Sequence, residues 1–237
     1  MNNLKIKNID CHAALAMTKN AQSGRSMIEM LGVLAIIGVL SVGGIAGYSK
    51  AMMKYRINKT IEQITLIAGN IRAFWGSQKN YVGVYCNCDN GSCIGQSSDD
   101  DCPIHKKAKI FPDDMITVTD GKITSITNPF GGGVVLHADD KAQNRDNQAF
   151  RIEYDIGDNE EACIELLSQD WKTAGVSFMM LSNPMYVFET IPVSLDNAAD
   201  VCSKYTPDIS MNFYIDADIS CYKSGVCDED FADSTYY

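Results

Sequence analysis

Hydrophobic and polar positions change pattern twice along this chain. Residues 30–46, MLGVLAIIGVLSVGGIA, carry no charge and a single hydroxyl, Ser41. As a helix this run is roughly 26 Å long, and extended from Met27 to Tyr48 it reaches roughly 33 Å, enough to cross a hydrocarbon core of about 30 Å. It exceeds the apolar core of a cleaved secretory signal, roughly 7–15 residues, and predicts one membrane span. Beyond it, Ile57, Ile61, Ile64, Ala68, Ile71 and Trp75 recur at steps of four and three, one apolar face of a helix. Lys59, Glu62, Gln63, Asn70 and Arg72 fill the remaining positions, and no proline precedes Pro103. The pattern predicts one helix from about Arg25 to Ser77, apolar all round in its first half and amphipathic in its second.

After Gly76 the period shortens. Residues 79–112 are rich in Tyr, Gly, Asn and Asp and read as a loop. Short β-like runs follow at Ile116–Thr119, Lys122–Thr127, Val134–Leu136, Phe150–Tyr154, Ser177–Met180, Tyr186–Thr190 and Met211–Ile215. Asp120-Gly121, Asn128-Pro129 and Asn183-Pro184 mark turns between them. Glu160–Thr173 and Leu195–Ser203 read as short helices. The expected fold class is α+β: a long N-terminal α-helix, membrane half plus amphipathic half, packed on an antiparallel β-sheet head. The domains expected are 1–24, 25–78 and 79–237, with the span at 27–48.

Charge and cysteine content narrow the function. A net charge of −10 argues against a nucleic-acid partner, whose binding surface is basic. Nine cysteines point to an oxidising compartment or a metal site. Only His12, His105 and His137 are present, and no nucleophile–base arrangement is visible, so no catalytic residue is assigned. Four basic residues precede the span and four follow it, which leaves orientation open. Cys86, Cys88, Cys93 and Cys102 are spaced C-x-C-x4-C-x8-C, a poor zinc signature, and Asp99–Asp101 read as a solvated acidic loop rather than a calcium site. No metal or cofactor is expected.

Residues 24–31, Gly-Arg-Ser-Met-Ile-Glu-Met-Leu, place a carboxylate at the edge of the span, where charge is costly and usually functional. Here the sequence resembles a type IV prepilin: a short basic leader ending in Gly24, Glu29 as the fifth residue after it, then the apolar run. IleAlaGlyAsnIleArgAlaPhe at 67–74, AsnTyrValGly at 80–83, AsnProPheGlyGly at 128–132 and AlaCysIleGluLeu at 162–166 resemble the type IVb class. The resemblance implies cleavage between Gly24 and Arg25 by a prepilin peptidase and methylation of the new terminus, which is Arg25 where the family usually has a hydrophobic residue. It implies pairing of that amine with Glu29 of a neighbouring subunit in a filament. Gly43 and Gly47 form a GxxxG pair suited to close helix packing.

Loss of the leader removes Cys11 and leaves eight cysteines, Cys86, Cys88, Cys93, Cys102, Cys163, Cys202, Cys221 and Cys227, an even number that suits disulfides in an extracytoplasmic head. Chain proximity favours Cys221 with Cys227 and pairings within 86–102. The resemblance implies that Cys163 and Cys202 staple the C-terminal region to the sheet. It further implies a structural subunit of a type IV pilus, for adhesion, aggregation or motility. Its partners would be copies of itself, the peptidase, the inner-membrane assembly machinery and, before assembly, the lipid bilayer. The precursor would sit in the inner membrane with its head in the periplasm, and the assembled filament at the cell surface. A minor pilin or secretion pseudopilin, and a membrane-anchored extracytoplasmic enzyme, are the alternatives.

Overall fold

A computed structural model describes residues 27–78, 80–89, 91–95, 102–138, 148–182, 185–205, 209–220 and 235–236. The chain divides into two compact units, Met1–Tyr48 and Ser49–Tyr237.

Helix α1, Met27–Trp75, runs for 49 residues and ends in the second unit. Glu29 in its first turn and Arg72 in its last complement the helix dipole. In the first unit the described side chains from Glu29 onward are all exposed. Among the described residues this helix alone is long and apolar enough to cross a membrane.

The second unit is built around a six-stranded sheet ordered β10-β8-β7-β9-β6-β5. Its strands are β5 Val134–Ala138, β6 Phe150–Gly157, β7 Val176–Leu181, β8 Tyr186–Phe188, β9 Ile209–Ile215 and β10 Thr235–Tyr236. All neighbours are antiparallel except β10, which runs parallel to β8. Alternation in β6 turns Phe150, Ile152, Tyr154 and Ile156 inward, where they meet Ile57, Ile64, Ile67, Ala68, Ile71 and Trp75 of α1 in one core. On the outer face Phe178, Met180, Val187 and Tyr214 form a second, smaller cluster. Strands β7 and β9 are thus buried on both faces, which explains their nearly unbroken apolar reading.

The described residues within 80–112 hold more regular structure than the loop expected there. β1 Asn87–Asp89 and β2 Ser92–Ile94 pair as a hairpin, and α2 spans Pro103–Lys107. Strands of three residues are too short to show a period in the sequence; the Cys88–Cys93 disulfide across the paired register ties them together, and Gly91 supplies the positive φ of the turn. Pro103 opens α2, where a missing N–H costs nothing. A second hairpin, β3 Ile116–Thr119 with β4 Lys122–Ile126, lies outside the main sheet. Helix α3, Glu160–Leu167, stops short of Thr173 because the Trp171 indole donates to the Leu166 carbonyl at 2.8 Å and turns the chain back. Helix α4 covers Leu195–Tyr205.

Candidate functional site

The apolar half of α1 is the first functional feature. Val39 and Val42 are more than 70% exposed. A run of this composition exposed on every face suits lipid or other helices, since soluble monomers expose only small contiguous apolar patches. Glu29 lies exposed in the first turn. A β-carbon at Gly32, Gly38, Gly43, Gly44 or Gly47 would meet nothing within 4 Å among the described residues. Each glycine weakens the helix by roughly 1 kcal/mol relative to alanine, and nothing described within this chain requires that loss. Gly24 and Arg25 lie outside the described residues.

The second feature is the covalent and polar frame of the head. Cys86–Cys102 and Cys88–Cys93 are disulfides, and so is Cys163–Cys202, which closes a separation of 39 residues. The last joins α3 to α4 rather than reaching the sheet, because Cys163 and Cys202 are both helical. Cys221 and Cys227 lie outside the described residues, as do Asp99–Asp101. The donor atoms of Cys86, Cys102 and His105 lie within 4.8 Å of one another, but both sulfurs are in a disulfide and offer no thiolate to a metal.

Two polar residues of α1 that lie off the apolar face read from the sequence are structural. Gln63 is buried: its Oε1 accepts from the Tyr154 hydroxyl at 2.6 Å, and its amide reaches Asp114 at 3.3 Å. Burial pushes the Tyr154 phenol far up. Arg72 donates to both carboxylate oxygens of Asp216, at 2.7 and 3.1 Å, and to the carbonyls of Ala174 and Gly175. The Tyr81 hydroxyl also donates to Asp216, at 2.6 Å. Burial works against the Asp216 carboxylate, but the hydrogen bonds from Arg72 and Tyr81 hold its pKa below the usual aspartate value. Gly175 has φ +70, and any β-carbon there would collide with the Arg72 guanidinium. This clamp locks the end of α1 to β7 and β9. Arg72 and Asp216 are 144 residues apart, and no sequence signal pairs them. On the outer sheet face, His137 and Ser210 both bond Glu153, whose pKa is lowered chiefly by the His137 contact.

An α+β head that takes the amphipathic end of a long apolar helix into its core defines the pilin class of proteins. The sequence profile of the PilS N-terminal family matches residues 54–212, more than half of the chain, and the chain belongs to that family. It is a pilin-like protein, a structural subunit and not an enzyme. Among solved structures, a type IVb pilin from Salmonella typhi is similar at 16% identity and a TM-score of 0.41, over 68% of this chain and 97% of that one. No curated protein matches.

Proposed function

We propose that this pilin-like subunit is inserted in the inner membrane through residues 27–48, cleaved after Gly24 by a prepilin peptidase, and assembled with copies of itself into a type IV pilus at the cell surface. The observation that carries the reading is family membership joined to an apolar helix half that is exposed throughout. The five glycines with empty surroundings support it, since close helix approach in a lipid-like bundle uses small residues. In this reading Glu29 accepts the charged amine of an incoming Arg25 within an apolar bundle. Removing one side of such a pair costs about 3–5 kcal/mol, a factor of hundreds in docking.

Mass spectrometry of material sheared from the surface tests the proposal. The expected dominant product is the 213 residues that remain of 237 once the first 24 are removed, beginning at Arg25. A sheared fraction lacking this chain, or containing it with its first 24 residues, overturns the reading. Expressed alone, Glu29→Ala is expected in the membrane fraction and absent from the sheared one.

A further inference from the structure

A cavity of about 240 Å³ opens on the head, lined by His105, Lys106, Lys109, Phe111, Asp113, Ile116, Val118 and Ile123. Its walls are α2 with the turn after it on one side and the β3–β4 hairpin on the other. Phe111, Ile123 and the buried His105 ring form the floor. Such a volume takes one aromatic ring with a short substituent, since an apolar cavity of about 150 Å³ already accepts benzene. We propose that this cavity is a binding site for a small carboxylate that carries an aromatic ring or a branched apolar group of similar size.

The charge at its mouth selects the anion. Lys106, Lys107 and Lys109 put three amines within four residues of a chain whose net charge is −10. Among the described residues none of the three is in an ion pair with a carboxylate. Asp113 is the one acidic lining residue, set against two lining lysines. The backbone of Lys109 and the amine of Lys106 are also anchored. Lys109 adopts φ 49, a conformation unfavourable for a side chain of its kind. The Asn70 amide keeps it there by donating to the carbonyls of Lys109 and Ile110, both at 3.1 Å. The Lys106 amine donates to the Gly121 carbonyl in the β3–β4 turn, bridging the two walls. The disulfide Cys86–Cys102 anchors the chain immediately before α2. An apolar floor beside two lysines, one with its amine anchored and one with its backbone anchored, fits a ligand with an apolar body and one carboxylate, in the general pattern of small-molecule sites.

Full-length chain in non-ionic detergent, with labelled isoleucine methyl groups, provides the test, and phenylacetate is the probe. The Ile116 and Ile123 methyl signals are expected to shift saturably with a Kd of about 1 mM, the range a ten-atom ligand reaches. Ile64 and Ile209, core residues that do not line the cavity, should stay fixed. Benzyl alcohol, which keeps the ring, and acetate, which keeps the charge, should each bind at least about tenfold more weakly. Lys109→Glu should abolish the shifts, Lys109→Arg should retain them, and Asp113→Asn should tighten binding several-fold. If Lys109→Glu moves the Ile64 and Ile209 signals, its fold is disturbed, and Lys106→Gln replaces it with a several-fold weakening expected. Equal binding of benzyl alcohol overturns the proposal. So do shifts that survive both lysine changes, the behaviour of a probe that has merely entered the micelle, and so does the absence of saturable shifts at Ile116 and Ile123.

Discussion

Two stretches of α1 have opposite relations to the rest of the chain. From Glu29 to Ala51 every side chain is exposed, although this is the most apolar part of the sequence. From Ile57 to Trp75 the apolar residues are mostly buried, although the stretch carries Lys59, Glu62, Gln63, Asn70 and Arg72. Quantity of hydrophobic surface therefore does not identify what a helix packs against; its angular distribution does. A helix with one partner gathers its apolar residues into a stripe, and a helix surrounded by apolar material has no stripe to show. Glycine follows the same division: five lie between Gly32 and Gly47, while Gly69 is alone between Ile57 and Trp75. The second stretch also shows that polar residues on the buried side are tolerated when each finds a partner, as Gln63 does on Tyr154.

The largest expected effect breaks or upholds this contrast directly. Ile64 is fully buried and Leu34 is 61% exposed. Ile64→Ala should lower the unfolding free energy of the head by about 2–5 kcal/mol, whereas Leu34→Ala should change it by less than about 0.5 kcal/mol. Denaturant titration of the full chain in detergent, followed by fluorescence of the buried Trp75 and Trp171, measures both. Similar losses would mean that the exposed stretch stabilises the head after all.

Next in size are the disulfides, which belong wholly to the second unit. Removing Cys163–Cys202, with its separation of 39 residues, should cost about 4 kcal/mol on the chain-entropy account. Removing Cys88–Cys93, with a separation of 5, should cost about 2 kcal/mol. The same denaturant titration, run on the paired alanine variants, checks the ranking; a reversed order would show that the hairpin and not the α3–α4 link holds the head.

Smaller again is the polar contact inside the helix–sheet core. Tyr154→Phe leaves the Gln63 carbonyl without its 2.6 Å donor, and a buried acceptor so deprived costs about 1–3 kcal/mol. Pairing it with Gln63→Leu should recover part of that loss, because two apolar groups then face each other. A double variant less stable than either single change would show that the bond of the Gln63 amide to Asp114, which Gln63→Leu also removes, outweighs the bond to Tyr154.

These contrasts also explain what could be read in advance. The long apolar helix, the amphipathic stripe and strands such as Ile116–Thr119 and Phe150–Tyr154 were legible because one local period records one local environment. β1 and β2 were not, since a three-residue hairpin tied by Cys88–Cys93 has no room for a period. Nor was β10, two residues paired to β8 across the chain. Gln63 and Arg72 fall on positions left over from the apolar face, and their partners, Tyr154 and Asp216, lie 91 and 144 residues away, beyond any local pattern. Of the candidate sites, the apolar run with Glu29, Gly43 and Gly47 is contiguous and visible. The cavity is not: it joins Lys106 and Lys109 to Val118 and Ile123, residues that separately look like a charged surface and one face of a hairpin.

The smallest expected effect asks whether acid sensitivity resides in the Arg72 clamp at the end of α1. Asp216 is more acidic in the folded head than its usual value of 3.8. Burial opposes that, and the hydrogen bonds from Arg72 and Tyr81 overcome it. A carboxyl whose pKa is depressed by folding contributes stability that is fully present above the unfolded pKa and is lost as pH falls through the folded one. The head should therefore lose stability below about pH 4. Glu153, lowered chiefly by its contact with His137, adds to the same loss. Asp216 is partly exposed, which screens the interaction and keeps the effect modest. Asp216→Asn removes the titrating group while keeping its size. At pH 6 the variant should melt below the native chain, and the gap should narrow as pH falls below about 4 and the native carboxyl takes up its proton. Melting curves of both chains across that range decide the matter: a gap that stays constant with pH would mean that the clamp holds through shape and neutral hydrogen bonds, with the Asp216 charge contributing nothing.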